Sequence, residues 1–319
     1  MTCRLCANAE ANRPFEAREM MLGYRERFLY FQCAQCECLQ IAAVPPDMKK
    51  YYPANYYSLA QAPLELYRNP LKRLVKKWRD EHAITGKGIL GERLYKKFPN
   101  AALHSLAHVQ SVKKTSRILD VGCGSGALLY SLKENGFGNV LGLDAYLQND
   151  ITYPNGLRIL KRELENVPGE WDLIMFHHAF EHVADPLATV QAVVQRLPPH
   201  GTCLLRIPTV SSFAWEHYGV NWVQLDAPRH FFLHSVKSIN LLAQKLGWRV
   251  ARVVFDSTAF QFWGSEQYAQ DMPLTSERSF AVNPSASLFS TEQIARFEAQ
   301  AEQFNREQRG DSAAFYLTK

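Results

Sequence analysis

Long apolar runs are missing from this 319-residue chain: none approaches the roughly 18 residues that cross a bilayer as a helix. The start, Met1-Thr-Cys-Arg-Leu-Cys6, has no apolar core of the kind a secretory signal carries. There is no internal repeat and no low-complexity tract. Cysteine is sparse, seven residues in all, which is too few for a disulfide scaffold of this length. These absences lead to the expectation of a soluble cytoplasmic protein with reduced thiols. What is present is an ordinary globular balance, 47% hydrophobic and 21% charged, at a length that suits about two domains and argues against a wholly disordered chain.

The few cysteines are unevenly placed. Cys3, Cys6, Cys33, Cys36 and Cys38 crowd the first 38 residues, and only Cys123 and Cys203 lie beyond. In a reducing compartment, paired C-x-x-C units read as thiolate metal ligands before disulfides. The two-residue spacing lets both thiolates of one turn face one tetrahedral ion, so Cys3, Cys6, Cys33 and Cys36 are expected to hold a structural zinc (Zn2+) with no open position. Phe28-Leu-Tyr-Phe-Gln32 reads as the strand that delivers the second knuckle. Cys38 is a spare thiol that competes as a ligand. A set of buried or redox thiols is the alternative.

A turn-rich, tyrosine-rich passage follows, and then a basic one. From Arg68 to Arg117 there are 13 Lys or Arg against three acids, a surplus of +10 in a chain whose net charge is +5. Leu71, Leu74, Val75 and Trp78 follow helical spacing, so Lys72, Arg73, Lys76, Lys77 and Arg79 fall mainly on the other faces. One reading is a solvated helix packed on the main domain. The sharper one is an anionic partner such as a nucleotide diphosphate or a membrane surface. No nucleic-acid-binding motif accompanies the charge, so nucleic acid is not expected.

Arg117-Ile-Leu-Asp-Val121 is a short apolar strand, Gly122-Cys-Gly-Ser-Gly126 follows at once, and Ala127-Leu-Leu-Tyr-Ser-Leu132 has helical character. Strand, glycine turn and helix together make a cofactor cradle: glycines let the backbone approach the ligand, and the helix start favours a negative group. Val140-Leu-Gly-Leu-Asp144 ends in an acid 18 residues past Gly126, placed to accept ribose hydroxyls. Gly122, Gly124 and Ala127 also satisfy the G-x-G-x-x-G/A pattern of dinucleotide enzymes. Asp120 separates the two readings, because a carboxylate just before the turn suits a cationic sulfonium cofactor better than a pyrophosphate.

Ile118-Leu-Asp-Val-Gly-Cys-Gly-Ser-Gly126 resembles motif I of the class I S-adenosylmethionine (SAM)-dependent methyltransferases. The stretches 171–186, 197–208 and 222–235 extend the likeness, the last to a subgroup with an N-terminal cysteine module that includes bacterial sugar and glycoconjugate methyltransferases. The resemblance implies a Rossmann-like α/β domain with a seven-stranded, mostly parallel sheet and an antiparallel last strand. It divides the chain into a zinc module (1–60), a basic helical connector (61–114) and a methyltransferase domain (115–319). It also implies that Asp120, Gly122, Cys123, Gly124 and Gly126 hold the methionyl end of SAM, and of its product S-adenosylhomocysteine (SAH). Asp144 with Ala145 would take the ribose, Glu163 and Leu164 would flank the adenine, and His177 and His178 would line the cofactor near its methyl.

Methyl transfer to an oxygen of high pKa needs a positioned base. His182 and His230 are the expected proton acceptors, with Tyr56 as a further catalytic contact. Tyr57 and Trp222 are expected at the acceptor, Trp222 by stacking on a sugar or nucleobase face. In the sugar C-methyltransferases a Glu neighbours the late-loop histidine, whereas here the neighbour is Arg229. That favours O-methylation of a sugar or glycoconjugate hydroxyl, with Arg229 on a phosphate or carboxylate of a phosphorylated or nucleotide-linked acceptor. His178-Ala-Phe-Glu181-His182 fits the inverted zincin pattern, but His178 follows a strand-like run, so no catalytic metal is expected there. The competing functions are an NAD-dependent oxidoreductase acting on a nucleotide sugar and a catalytically silent SAM-binding module.

Toward the C-terminus, Trp248 to Phe255 reads as a strand and residues 256–289 as irregular. Ser290 caps a helix from Thr291 to about Arg309, and Ala313 to Leu317 adds a final strand.

Overall fold

The computed structural model of the protein describes residues 1–53, 65–109 and 112–319. The strands are β1 (Arg13–Arg18), β2 (Arg27–Gln32), β3 (Leu39–Ile41), β4 (Arg117–Val121), β5 (Asn139–Leu143), β6 (Ile151–Thr152), β7 (Arg158–Leu160), β8 (Leu173–His177), β9 (Thr202–Pro208), β10 (Phe232–Leu233), β11 (Arg249–Phe255) and β12 (Ser312–Thr318). The helices are α1 (Glu65–Arg68), α2 (Pro70–Thr85), α3 (Ile89–Lys97), α4 (Ala101–Leu106), α5 (Ala127–Glu134), α6 (Pro186–Val194), α7 (Phe213–Tyr218), α8 (Val236–Lys245), α9 (Phe260–Ala269) and α10 (Thr291–Arg306).

Two compact units share the chain. One takes residues 1–53, 181–187 and 207–315, and the other 54–180, 188–206 and 316–319. The expected division at 60 and 114 follows chain order, whereas these units interleave. In the first unit an antiparallel sheet runs β1-β2-β3-β10. Its fourth strand comes from far downstream: Phe232 and Leu233 pair with Gln40 and Leu39. Tyr30, Ile41, Trp215, Trp222 and Phe232 share one apolar core with Cys3, Cys33 and Cys36. The cysteine module is thus embedded in this unit by burial of large side chains, each worth about 1.5–3 kcal/mol relative to exposure.

The larger sheet runs β11-β12-β9-β8-β4-β5-β7-β6. It has eight strands, not the expected seven. The addition is β6, two residues long and antiparallel to β7, which follows a turn region with no sequence signature of its own. Pairings β4/β5, β4/β8, β5/β7 and β8/β9 are parallel, in keeping with the near-continuous apolar runs of these strands. From β4 the chain moves to β5 on one side and later to β8 on the other. That makes the carboxyl end of β4 the switch point, where open α/β sheets bind ligands.

The cap expected at Ser290 is present, and Ser235 caps a helix in the same way. Ser235 and Ser290 each form a reciprocal capping box, opening α8 and α10. Two expectations need correction. Residues 256–289 are not wholly irregular, because they contain α9, which buries residues on every face and so carries no amphipathic period. The supposed inner face of α2 is not packed away either: Leu71 is 70% exposed, and Leu74 and Trp78 are also exposed. No helix among the described residues is long and apolar enough to cross a membrane.

Candidate functional site

In the second unit the cradle forms at the carboxyl end of β4. Gly122, Gly124 and Gly126 all lie at positive φ (72°, 56° and 82°), a conformation that L side chains rarely adopt. At Gly122 space is excluded too, since a Cβ there would come within 2.4 Å of the Ala179 Cβ. The turn is tied to the tip of β5. The N–H of Gly124 donates to Oδ2 of Asp144 at 2.8 Å, and the N–H of Tyr146 donates to Oδ1 at 2.9 Å. Gly122 and Cys123 donate to the carbonyl of Leu143.

Asp120 is the unusual member. It is buried, and its Oδ1 has no hydrogen-bond partner among the described residues. Burial, reinforced by the neighbouring Asp144 carboxylate, pushes its pKa well above the ordinary range. A buried carboxylate lacking a counter-charge next to a second one is a site short of a cation. That is the charge pattern that a sulfonium and an ammonium satisfy, and a pyrophosphate aggravates.

The remaining expected cofactor contacts sort by exposure. Ala145 and Glu163 are exposed, whereas Leu164 is buried in a 3-10 turn. His177 ends β8, and neither ring nitrogen has a partner among the described residues. Burial, with help from Arg206 and His178, holds it well below the usual histidine range, so the ring is neutral. His178 sits at φ 51°, an uncommon left-handed backbone for a non-glycine residue. Its Nε2 accepts from Arg206 Nη1 at 2.6 Å, which fixes the ring on its own sheet.

In the first unit the four cysteines converge. Cys3 and Cys36 sulfurs are 3.6 Å apart, Cys6 and Cys33 sulfurs 3.4 Å, and all four lie within 4.8 Å of one another. A tetrahedral site with Zn–S bonds of about 2.3 Å has sulfur–sulfur edges of about 3.8 Å, so the set fits such an ion with small adjustments. The thiol contact from Cys36 pulls Cys3 down to about 4, aided by backbone N–H groups of Cys6 and Leu5 and the Gln40 amide. Gln40 Nε2 donates to the Cys3 sulfur at 3.2 Å, an outer-sphere bond that favours thiolate. Cys38 stays outside the set: it is buried against the Leu233 carbonyl, and burial pushes its thiol up.

The same unit brings together Glu181, His182 and His230, whose ligand-capable atoms also lie within 4.8 Å of one another. His182 Nδ1 contacts the Arg229 carbonyl at 2.8 Å and the Tyr52 hydroxyl at 3.2 Å. His230 Nδ1 contacts the Gln224 carbonyl at 2.7 Å. Carbonyl oxygens only accept, so both rings carry hydrogen on Nδ1 and the lone pair on Nε2. His230 Nε2 is 3.9 Å from Glu181 Oε1 and 3.7 Å from Asp226 Oδ2. Burial, then His230, lowers His182 below the histidine range, which keeps it neutral at pH 7.

Two acceptor contacts drawn from the sequence are corrected. Trp222 is fully buried in the core and donates its Nε1 to Asp311 Oδ2 at 2.9 Å, so its faces do not receive a ligand. Arg229 is 0% exposed and bound to Glu19 at 3.0 Å and Asp226 at 2.6 Å, which leaves it no role on a substrate anion. The missing carboxylate partner of the late-loop histidine is supplied by Glu181 and Asp226, neither of which is its chain neighbour. Asp226 was legible, four residues before His230. Glu19 gave no signal at all. Tyr56 and Tyr57 lie outside the described residues.

A family described as a methyltransferase domain matches residues 91–253, just over half of the chain. The chain therefore belongs to that family. Among curated relatives, the ubiquinone biosynthesis O-methyltransferase of Sodalis glossinidius is 27% identical over 144 residues, 41% of this chain and 57% of that protein. The enzyme of the same name from Escherichia coli O127:H6 is 26% identical over 145 residues, covering 41% and 59%. The chain thus spans less than two thirds of the length of these relatives. Among solved structures, the cyclopropane synthase MmaA2 from Mycobacterium tuberculosis is 20% identical, with a TM-score of 0.44 over 72% of this chain and 85% of that one.

Proposed function

We propose that the protein transfers the methyl group of SAM to an oxygen of a small-molecule acceptor, a hydroxyl of a sugar or glycoconjugate intermediate, in the cytoplasm. The observation that carries this reading is Asp120: a buried, partner-poor carboxylate at the mouth of a glycine turn, beside Asp144. Asp120, Gly122, Cys123, Gly124 and Gly126 hold the methionyl end. Asp144 and Ala145 take the ribose, Glu163 and Leu164 the adenine, and His177 and His178 lie toward the methyl. The charge pattern disfavours the NAD reading, since a pyrophosphate would add negative charge where two carboxylates already stand.

In the transfer, the acceptor oxygen forms a bond to the methyl carbon as the carbon–sulfur bond breaks. The electron pair returns to sulfur, and neutral SAH leaves. The acceptor proton is assigned to His182 or His230, each with Nδ1 held by a main-chain carbonyl and its lone pair on Nε2. Tyr56 and Tyr57 are assigned to the acceptor on sequence alone. Oxygen as acceptor is in keeping with the O-methyltransferase names of the curated relatives. A structural zinc on Cys3, Cys6, Cys33 and Cys36 completes the proposal.

The basic face of α2 and α3 is assigned to an anionic membrane surface. Leu71, Ile89 and Phe98 are exposed on this segment, as are Lys72, Lys77 and Lys97. A groove of about 370 Å³ between Leu71, Val75, Leu94 and Phe98 is rimmed by Lys72, Lys76 and Arg79. Two copies presenting this charge would repel each other, whereas anionic lipid complements both its charge and its apolar centre.

Cell extract incubated with enzyme and isotopically labelled methyl donor tests the reaction by mass spectrometry. A labelled product absent with Asp120→Ala supports it. SAH binding with no labelled product in any extract fraction would favour the silent module.

A further inference from the structure

We infer that Glu181, His182 and His230 form a binding site for a divalent first-row transition-metal cation, distinct from the four-cysteine site.

Donor chemistry is the first argument. Two imidazoles and one carboxylate, with positions left open, are the donor set of mononuclear ferrous sites, and they suit manganese equally. In a six-coordinate site with bonds of about 2.1 Å, neighbouring ligand atoms lie about 3 Å apart. The observed separations, 3.9 Å for His230 to Glu181 and no more than 4.8 Å within the set, close to that value by small rotations.

Preorganisation is the second. Metal-bound histidines characteristically donate their other ring N–H to a carbonyl or carboxylate, which fixes tautomer and ring direction. Both rings here do so before any ion is considered, His182 to the Arg229 carbonyl and His230 to the Gln224 carbonyl.

Burial is the third. Glu181 is 0% exposed and His230 6%, so two of the three donors are shielded from water, and Asp226 Oδ2 lies 3.7 Å from His230 Nε2. The inverted zincin pattern pointed to His178 as a ligand. The structure instead binds His178 to Arg206 and brings His230 from the late loop to Glu181 and His182.

An acceptor hydroxyl at an open position would lose its proton more readily, and with the Nε2 lone pairs on the ion that proton would pass to solvent rather than to the imidazoles. That role rests on the methyl-transfer reading, whereas binding of the ion does not.

The test is a Mn2+ titration of the full-length, zinc-loaded protein, with free Mn2+ followed by electron paramagnetic resonance. Manganese avoids thiolate sites, so the cysteines do not interfere. Saturation at about one Mn2+ per chain is expected, weakened about tenfold or more in Glu181→Gln and in His230→Gln. In the unsubstituted protein, substoichiometric Mn2+ should broaden the ring signals of His182 and His230 before those of other histidines, a readout that needs no variant to fold. Unsaturable binding, equal binding by both variants, or first broadening at other histidines would overturn the assignment. SAH binding on the same sample separates the two claims: its loss would remove the methyl-transfer reading and leave the cation site standing, and the reverse holds if Mn2+ alone fails.

Discussion

The main-chain N–H of Gly124 donates to Oδ2 of Asp144 at 2.8 Å, joining the glycine turn after β4 to the tip of β5. That bond occupies one oxygen of Asp144, while Tyr146 holds the other. Asp120, one turn earlier, has no such support on Oδ1 among the described residues. The two carboxylates therefore differ: Asp144 is held on both oxygens, and Asp120 is buried with Oδ1 unsupported among the described residues.

Asp120→Asn should stabilise the ligand-free protein. A carboxyl whose folded pKa is raised contributes stability below its unfolded pKa and loses that contribution as pH rises through the folded value. The advantage of the amide should therefore be absent in acid and open as pH rises, reaching about 0.5–2 kcal/mol near neutrality. Thermal melts of both proteins across a pH series would show it. A variant less stable than the unsubstituted protein at neutral pH would contradict it.

Metal analysis of purified protein should find about one zinc per chain at the thiolate site, and strong chelation should lower the melting temperature. Because Cys3, Cys33 and Cys36 share a core with Trp222 and Phe232, the loss should extend to the whole first unit. Hydrogen exchange after chelation would then rise in β10 as well as in β1 to β3. Zinc-free protein of unchanged stability would remove this ion from the account.

Arg229→Ala should be a folding defect first. Removing the guanidinium leaves the fully buried Glu19 and the half-buried Asp226 without their cationic partner, a change that costs about 3–5 kcal/mol. Denaturant midpoints measure it. A near-neutral change in stability with a selective rise in KM for an anionic acceptor would restore Arg229 to the substrate.

These corrections show what sequence could and could not carry. The glycine turn, both C-x-x-C knuckles and the serine caps were legible because each depends on residues a few positions apart. The role of Arg229 was not, because Glu19 stands 210 positions away and only the fold brings it near. Trp222 misled for a related reason: an indole reads alike whether it meets a ligand or a buried carboxylate. The strand β6 and helix α9 lacked periodicity, the first through brevity and the second through burial on all sides.

Vesicle co-sedimentation tests the α2–α3 face. The protein should sediment with vesicles rich in phosphatidylglycerol and not with phosphatidylcholine alone, less so as salt rises. Leu71→Glu combined with Ile89→Glu should abolish sedimentation, with stability within about 0.5 kcal/mol, since both side chains are largely exposed. Concentration-dependent dimers abolished by the same pair, without vesicle binding, would assign the face to a second copy instead.

The most direct test of the central claim is calorimetric titration of the full chain with SAH, and separately with NADH, for the unsubstituted protein and Asp120→Asn. The account predicts saturable SAH binding at one per chain, lost in Asp120→Asn, with no saturable NADH binding. Saturable NADH binding without an SAH response, or SAH binding indifferent to Asp120, would contradict it.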